Sequence, residues 1–132
     1  MDIEVKENEN LYRAVKRSNP DYIIGKNKVS SAMFKDESGV SVSRDGGRSE
    51  KEVISSFKDS PFWSKRLKAI GRITNKDCQD VNVYVIEDPS QNDKYHSLIF
   101  GDKNKNNITN IQALRLSDKC AIVYCDMDMS YT

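Results

Sequence analysis

One stretch, residues 81–101, constrains the fold more than any other part of the chain. Residues 81–86 are a β-branched and aromatic run, residues 88–93 are polar and begin with Asp-Pro, and residues 96–100 are a second apolar run. Two such runs joined by a polar loop of this length predict a β-hairpin. Neither run alternates cleanly between apolar and polar residues, so we expect both strands to lie inside a sheet with both faces covered.

The rest of the chain predicts a small α+β domain around this hairpin. We expect strands at residues 11–15, 39–43, 67–74 and 120–124, with Gly71 marking a bulge or a close backbone approach. Residues 75–80 are expected to turn into the hairpin. The predicted fold class is a single compact α+β domain with a mainly antiparallel sheet of about five to six strands and two helices. Residues 1–10 would be a flexible lead-in, residues 11–125 the domain and residues 126–132 a tail.

Each of the two helices is predicted from a capping residue followed by apolar side chains. Ser49 is a suitable N-cap, and acidic residues in the next turn favour the positive end of the helix dipole. An apolar stripe at positions 53, 54 and 57 follows, and the helix ends before Pro61. The second helix begins at Asn107 or Thr109 and runs to about residue 116. Its inner side is expected to carry Ile108, Ile111, Ala113 and Leu114.

Composition excludes some classes of function. The chain has 132 residues, long enough for one domain with a real core, and its 21 basic and 20 acidic side chains create no global field for nucleic acid or a membrane surface. No run approaches the roughly 18 apolar residues of a membrane span. The first ten residues are charged and mostly acidic, unlike a secretory signal peptide. We therefore expect a cytoplasmic protein.

The cysteines predict thiols rather than a metal site. Cys78, Cys120 and Cys125 accompany a single histidine, so a Cys3His zinc site is formally possible. However, two of the three lie in or beside the apolar run at residues 120–124, where a reduced cysteine behaves as a small core residue. We expect buried thiols in a reducing cytosol, with no metal and no cofactor.

An ordered set of short motifs resembles a group of small uncharacterised bacterial proteins. The set is LYRAV at residues 11–15, VSSAMFKD at 29–36, VSV at 40–42 and EDPSQNDKYHSLIFG at 87–101, followed by a helix and an apolar strand. The group has an arginine near its start, then S-S-x-x-F, S-V, D-P and a histidine. This chain departs from the group in being rich in lysine and asparagine, and in having Lys94 and Tyr95 where small residues are expected. No activity attaches to the group, so the resemblance implies a compact bacterial domain and no particular chemistry.

His96 and Arg13 are the leading candidates for chemistry. Histidine is the commonest general acid or base in proteins, and His96 is the only one in the chain. The alternative is a structural residue at the start of a strand. Arg13 lies inside an apolar strand, where its charge needs a partner. It either grips a phosphate or carboxylate, faces solvent at a sheet edge, or forms a salt bridge with Asp88 or Asp36.

Three further polar residues are candidates for ligand binding. Ser30 and Ser31 are adjacent hydroxyls that can bind phosphate or act as a nucleophile, although no G-x-S-x-G elbow surrounds them. Serine more often caps a turn, and we prefer that interpretation. Asp88, in the hairpin loop, is the third. Gly46 and Gly47 precede a helix and can form an anion nest, but a plain turn is the preferred interpretation.

These observations support three functional hypotheses. The preferred one is a non-catalytic bacterial accessory module that binds a protein partner or a small ligand, since catalytic groups are few and no catalytic motif is present. The second is an enzyme that acts on a nucleotide or phosphoester at a site where Arg13, the serines and His96 converge. The opening L-Y-R strand followed by a serine block is loosely similar to ADP-ribosyltransferases, with Glu87 or Asp88 as the acidic residue by position alone.

The third hypothesis is nucleic-acid binding, which the charge balance disfavours. It requires a basic surface with all five of its cations on one face. The five cations are Lys65, Arg66, Lys68, Lys103 and Lys105.

Nothing in the sequence sets the oligomeric state.

Overall fold

The computed structural model of the chain describes residues 8–24 and 28–126. The strands in these ranges are β1 (Asn10–Lys16), β2 (Ile23–Ile24), β3 (Lys28–Val29), β4 (Val40–Arg44), β5 (Leu67–Thr74), β6 (Tyr84–Glu87), β7 (His96–Phe100) and β8 (Ala121–Cys125). The α-helices are α1 (Glu50–Asp59), α2 (Asn75–Val81) and α3 (Asn110–Lys119), and two short 3₁₀ helices lie at Pro20–Tyr22 and Ser31–Phe34.

Six of these strands form one antiparallel sheet in the order β6-β7-β4-β1-β5-β8, and β2 pairs with β3 in a separate two-stranded sheet. The predicted hairpin is present, because β6 pairs antiparallel with β7. The predicted α+β class with an antiparallel sheet is therefore confirmed. The expected irregularity at Gly71 is also present, as a register shift in the pairing of β5 with β8. A Cβ there would lie 2.6 Å from the Cys120 sulfur, so the backbone approach is close as well.

The two faces of the sheet carry two separate apolar cores. The larger core lies under α2, α3 and the 3₁₀ helix Ser31–Phe34, and the smaller core lies under α1. Period-two alternation explains the division, since Leu11 and Val15 of β1 enter the larger core whereas Tyr12 enters the smaller one. The candidate site lies where β1 and β4 separate, between these two cores.

The first predicted helix is confirmed as α1. The Ser49 hydroxyl accepts from the backbone N–H of Glu52, and the Glu52 carboxylate accepts from the N–H of Ser49, which completes a capping box. Val53 is fully buried, and Ile54 and Phe57 pack against the same cluster. The predicted stripe therefore faces the sheet.

The chain has a third α-helix that the sequence interpretation missed. Residues 75–80, expected as a turn, belong to α2, so the prediction of two helices was wrong in number. Thr74 and Asp77 form a capping box at its start, and Asn82 ends it in the left-handed region with φ of 64°. Its sequence NKDCQDV looks like a polar turn because only Cys78 and Val81, three residues apart, supply an apolar contact to the core.

Two expectations about burial were also wrong. The hairpin strands are not both internal, because β6 is an edge strand that begins only at Tyr84, while β7 lies between β6 and β4. In α3, Ile111 and Leu114 are 65% and 54% exposed. Thr109 caps the helix, Ile108 and Ala113 are buried as predicted, and Leu116 takes the place of the other two. The buried positions 113, 116 and 117 follow helical spacing, and Ile111 and Leu114 lie outside that face.

The proposed ends of the domain can be followed only in part. Of the predicted lead-in, residues 1–7 lie outside the described ranges, and Glu9 and Asn10 contact the loop after β4. Residues 127–132 of the predicted tail also lie outside them. The N–H of Asp126 donates to the Lys68 carbonyl at 2.7 Å, which extends the pairing of β8 with β5.

Candidate functional site

A cleft of about 610 Å³ runs along the gap between β1 and β4 and is lined from both faces of the sheet, by Tyr12 and Phe57 on the α1 side and by Arg13 and Asp36 on the side of the larger core. It follows the line where β1 and β4 separate, since it is lined at one end by Tyr12 and Ser43 and at the other by Lys16. Its wall beyond β4 comes from the hairpin loop, and its opposite wall comes from α1 and the turn after it. The other lining residues that matter here are Arg13, Asn19, Tyr22, Asp36, Ser41, Arg48, Phe57, Phe62, Trp63, Asp93, Lys94, Tyr95 and His96.

Arg13 bridges the gap between the two separating strands. β1 and β4 are in register only at Leu11 with Arg44 and Tyr12 with Ser43. Beyond these pairs, the Arg13 Nη1 donates to the Ser41 carbonyl at 2.9 Å and its Nε donates to the Met33 carbonyl at 2.6 Å. The guanidinium thus replaces a missing ladder bond and ties the 3₁₀ helix Ser31–Phe34 to the sheet.

The charge of Arg13 is held by neutral groups. Its hydrogen-bond partners are two backbone carbonyls and the Tyr22 side chain, and in the described ranges no carboxylate lies within ion-pair distance of it. Burial lowers the pKa of Arg13, while the Tyr22 side chain and the Asp36 carboxylate oppose that shift. Of the alternatives that the sequence left open for Arg13, the salt bridge to Asp88 or Asp36 is therefore not formed, although Asp36 lies near enough to interact electrostatically.

Arg48 is fixed in the same way on the other side of the gap. Its Nε donates to the Asp45 carbonyl at 2.9 Å, and its Nη2 donates to the Arg44 carbonyl at 2.6 Å and to the Ser43 hydroxyl at 3.2 Å. Its guanidinium also lies 4.2 Å from the ring centroid of Tyr95. These acceptors carry no charge, so the guanidinium is held rigidly in the cleft wall with its charge uncompensated by an ion pair from the described residues.

His96 is held by Asp88 at the hairpin end of the cleft. Its Nδ1 lies 2.9 Å from the Asp88 backbone carbonyl oxygen and 3.1 Å from the Asp88 carboxylate oxygen Oδ2. A carbonyl oxygen can only accept, so Nδ1 carries the proton and the neutral ring keeps its lone pair on Nε2. The imidazole is therefore fixed in one tautomer and one orientation.

Cross-strand pairing places His96 in a polar row across the sheet. His96 pairs with Ser43, Ser43 with Tyr12, and Tyr12 with Arg72, and directly paired residues share one face. The Tyr12 hydroxyl donates to the Glu50 carboxylate at 3.1 Å, and Arg72 donates to the same oxygen at 2.6 Å. Glu50, in the first turn of α1, therefore anchors the helix to the Tyr12–Arg72 end of the row and fixes Tyr12, which lines the cleft.

The far end of the cleft is aromatic. Trp63 makes edge-to-face contacts with Phe57 at 6.0 Å and Phe62 at 5.1 Å between ring centroids. Phe62 is partly exposed, and the Lys16 ammonium lies 5.2 Å from its centroid. This end can pack against an apolar or planar group, whereas the His96 end offers hydrogen-bond donors and positive charge.

Two of the five predicted site residues line the cleft. Arg13 and His96 do so, and Asp88 acts indirectly through its contact with His96. Ser30 and Ser31 do not line it. The Ser30 hydroxyl donates to the Asp21 carbonyl at 2.7 Å, and Ser31 begins a 3₁₀ helix. The predicted convergence of the serines with Arg13 and His96 does not occur.

Glu87 and the buried Arg44 form an ionic group on the face of the sheet that carries the larger core. Arg44 lies 3.3 Å from the Glu87 carboxylate and 3.5 Å from that of Glu9. Glu87 does not line the cleft. It therefore cannot act there as the acidic residue that the ADP-ribosyltransferase analogy requires.

The glycine pair after β4 is a turn whose donors are already engaged. The N–H of Gly46 donates to the Glu9 carboxylate, and that of Gly47 donates to the Asp45 carboxylate, each at 3.0 Å. An anion would have to displace these carboxylates. Arg48, which immediately follows the turn, is a residue of the cleft that the sequence analysis did not single out. In the sequence it is only a basic residue in R-D-G-G-R, because its position against Tyr95 depends on the pairing of β4 with β7.

The cysteines and carboxylates of the described residues do not form a metal site. All three cysteines are free thiols, and burial raises the pKa of Cys78 and of Cys120 to about 12. Within residues 8–24 and 28–126 there is no group of three or more His, Cys, Asp or Glu side chains that could hold a metal ion. None of the helices found there is long and apolar enough to cross a membrane.

The five cations of the nucleic-acid hypothesis fall into two groups. One group lies just before and within the start of β5, and the other follows β7. β1 and β4 lie between those strands, so the two groups are separated by three strand spacings, about 14 Å.

Comparison of the chain with protein-family models, with curated proteins and with solved structures finds no match.

Proposed function

We propose that this protein is a bacterial accessory module that binds a small anionic ligand in the cleft between β1 and β4. The observation that carries the proposal is that Arg13 and Arg48 line one cleft and are both fixed by neutral acceptors. A cation without an ion-pair partner in a partly enclosed site favours a phosphate or carboxylate.

The arrangement of the cleft supports a ligand with two unlike ends. An anionic group fits near Arg48 and Lys94, whose side chains both lie over the Tyr95 ring, at 4.2 and 5.1 Å from its centroid. An apolar or planar group fits the aromatic end around Trp63. Because the guanidinium groups are already ordered, little side-chain entropy is lost on binding.

A cytoplasmic site of action is part of this proposal. It is supported by the three free thiols, which persist in a reducing compartment. The protein-partner form of the hypothesis is the competing outcome of the experiment below.

The experiment is a fluorescence titration, because Trp63 is the only tryptophan of the chain and lies in the cleft. Mononucleotides, sugar phosphates and inorganic phosphate are titrated while the Trp63 emission is recorded. We expect a saturable change for at least one compound that carries both a planar group and a phosphate. A thermal shift should accompany it, since ligand at about 100 times Kd stabilises the folded state by about 2.7 kcal/mol.

Matched variants separate the cleft from the overall charge. Lys94→Gln removes an exposed cation of the cleft wall without affecting the core, and we expect it to weaken binding. Arg115→Gln removes an equal charge from an exposed position of α3, which does not line the cleft, and should leave binding unchanged. If no compound changes the Trp63 emission, or if the two variants lose equal amounts of binding affinity, the proposal is contradicted and a protein partner is the alternative.

A further inference from the structure

The His96–Asp88 contact goes beyond what ligand binding requires. A residue that only binds an anion would present a donor to it, yet here the proton of His96 is committed to Asp88 through Nδ1. The nitrogen left for the cleft is Nε2, for which the described residues supply no hydrogen-bond partner. An imidazole that is held in one orientation, with the lone pair of Nε2 available and cationic side chains nearby, has the arrangement of a general base.

We propose that the cleft hydrolyses a phosphodiester, with His96 as the catalytic base and Asp88 as a positioning residue. The inference rests on the proposed function, because the anion bound by Arg48 and Lys94 is then the reacting phosphate. A diester fits the place of His96 in the cleft. The hairpin residues Asn92 and Asp93 line one side of it, and the sheet and α1 line the other. The cleft volume of about 610 Å³ is large enough for a phosphate that carries two substituents.

The chemical step needs only water and these side chains. His96 Nε2 accepts a proton from a water molecule as that O–H bond breaks, and the water oxygen forms a bond to phosphorus. The bond from phosphorus to the leaving oxygen breaks, and the proton on Nε2 passes to that oxygen. The positive charges of Arg48 and Lys94 stabilise the negative charge on the non-bridging oxygens. The products are a phosphomonoester and an alcohol.

Asp88 acts through the ring of His96 rather than on the substrate. Its carboxylate and its backbone carbonyl both accept from Nδ1, which keeps Nε2 unprotonated in the neutral ring. Replacement by asparagine keeps the backbone carbonyl and the size of the side chain but removes the carboxylate. The variant should therefore retain the fold and lose part of the tautomeric preference.

The test uses bis(p-nitrophenyl) phosphate as the probe, with release of p-nitrophenol as the rate and Trp63 emission as the measure of binding. We expect turnover by the native protein. We expect His96→Asn, which keeps a donor for Asp88 but has no base, to lower kcat by about 100-fold or more with little change in KM. Asp88→Asn should lower kcat less. Because the chain has one histidine, its nitrogen NMR spectrum reports the tautomer without ambiguity. The neutral native protein should show Nδ1–H, and Asp88→Asn should increase the Nε2–H form.

Three results overturn the inference, and they are distinguishable from failure of the proposed function. Saturable Trp63 quenching by the probe without turnover leaves a binding module and removes the catalytic claim. Turnover by His96→Asn at the native rate removes His96 as the base, and an Nε2–H tautomer in the native protein removes the lone pair that the step requires. If neither the probe nor any phosphate compound changes Trp63 emission, the proposed function itself fails.

Discussion

The turn after β4 offers a sharp test of how the cleft wall is built. Gly46 and Gly47 are adjacent and both adopt positive φ, at 57° and 87°. A Cβ at Gly46 would overlap the Tyr95 ring, whereas a Cβ at Gly47 would have no neighbour within 4 Å. Alanine at either position costs backbone strain of about 1–2 kcal/mol. Only at Gly46 does it also push Tyr95 off the Arg48 guanidinium.

Gly46→Ala should therefore lose more stability than Gly47→Ala, which is the opposite of the order that backbone strain alone would produce. The φ of Gly46 lies nearer the left-handed minimum, so strain alone makes Gly47→Ala the costlier change. Overpacking against Tyr95 adds about 1–3 kcal/mol, and a lost cation–π contact adds about 0.5–1 kcal/mol. We expect Gly46→Ala to lower the free energy of unfolding by about 2 kcal/mol more than Gly47→Ala does. At about 4 °C per kcal/mol, this separates the two melting temperatures by about 8 °C.

The assay is urea unfolding and thermal melting of the two variants side by side, followed by titration with the best ligand found for the native protein. Gly46→Ala should also weaken ligand binding, because Tyr95 and Arg48 share the cleft wall. Equal stabilities, or a larger loss for Gly47→Ala, would refute the placement of Tyr95 against the turn.

Two further predictions concern stability. Ser49→Ala should cost about 1 kcal/mol, because it removes half of the α1 capping box, whereas Ser55→Ala at an exposed position of the same helix should change stability by less than about 0.5 kcal/mol. Equal urea midpoints for these two variants would contradict the cap. Burial raises the pKa of Cys78 and of Cys120 from 9.0 to about 12, and that of Tyr12, beside the Glu50 carboxylate, from 10.0 to about 12. The unfolded chain releases these protons first, so their stabilising contribution is intact below about pH 9 and is lost as the pH rises toward about 12. Urea midpoints measured under reducing conditions should fall between pH 8 and pH 10.5, and a constant midpoint would refute this assignment.

The parts of the fold that the sequence predicted well are those set by local signals. The hairpin follows from two β-branched and aromatic runs around a polar loop, and α1 follows from Ser49 and the stripe three and four residues apart. α2 was missed because it needs only two apolar contacts, Cys78 and Val81, and its other residues are those of a turn. Its stability comes from the core beneath it, and that is a tertiary effect.

The candidate site was predicted less completely, since it depends on contacts between distant segments. The sequence identified Arg13 as a charge that needs a partner, but its acceptors are carbonyls of the 3₁₀ helix Ser31–Phe34 and of β4. The two serines were singled out for their hydroxyls, and Ser30 instead ties the loop before that helix to Asp21. Arg48 became visible only when β4 and β7 were paired and Tyr95 was placed beside it. The separation of β1 from β4, which creates the cleft, has no local signature in either strand.

The central claim is that Arg13 and Arg48 together form an anion site, and nitrogen NMR of the arginine side chains tests it most directly. The Nε–H groups of both residues donate to backbone carbonyls, so their exchange with water should be slow enough for both signals to be observed. Titration with the phosphate compound that quenches Trp63 should shift both Nε–H signals along one saturation curve, with the dissociation constant found by fluorescence. If both Nε–H signals stay in place while fluorescence saturates, the ligand binds elsewhere and the claim is wrong.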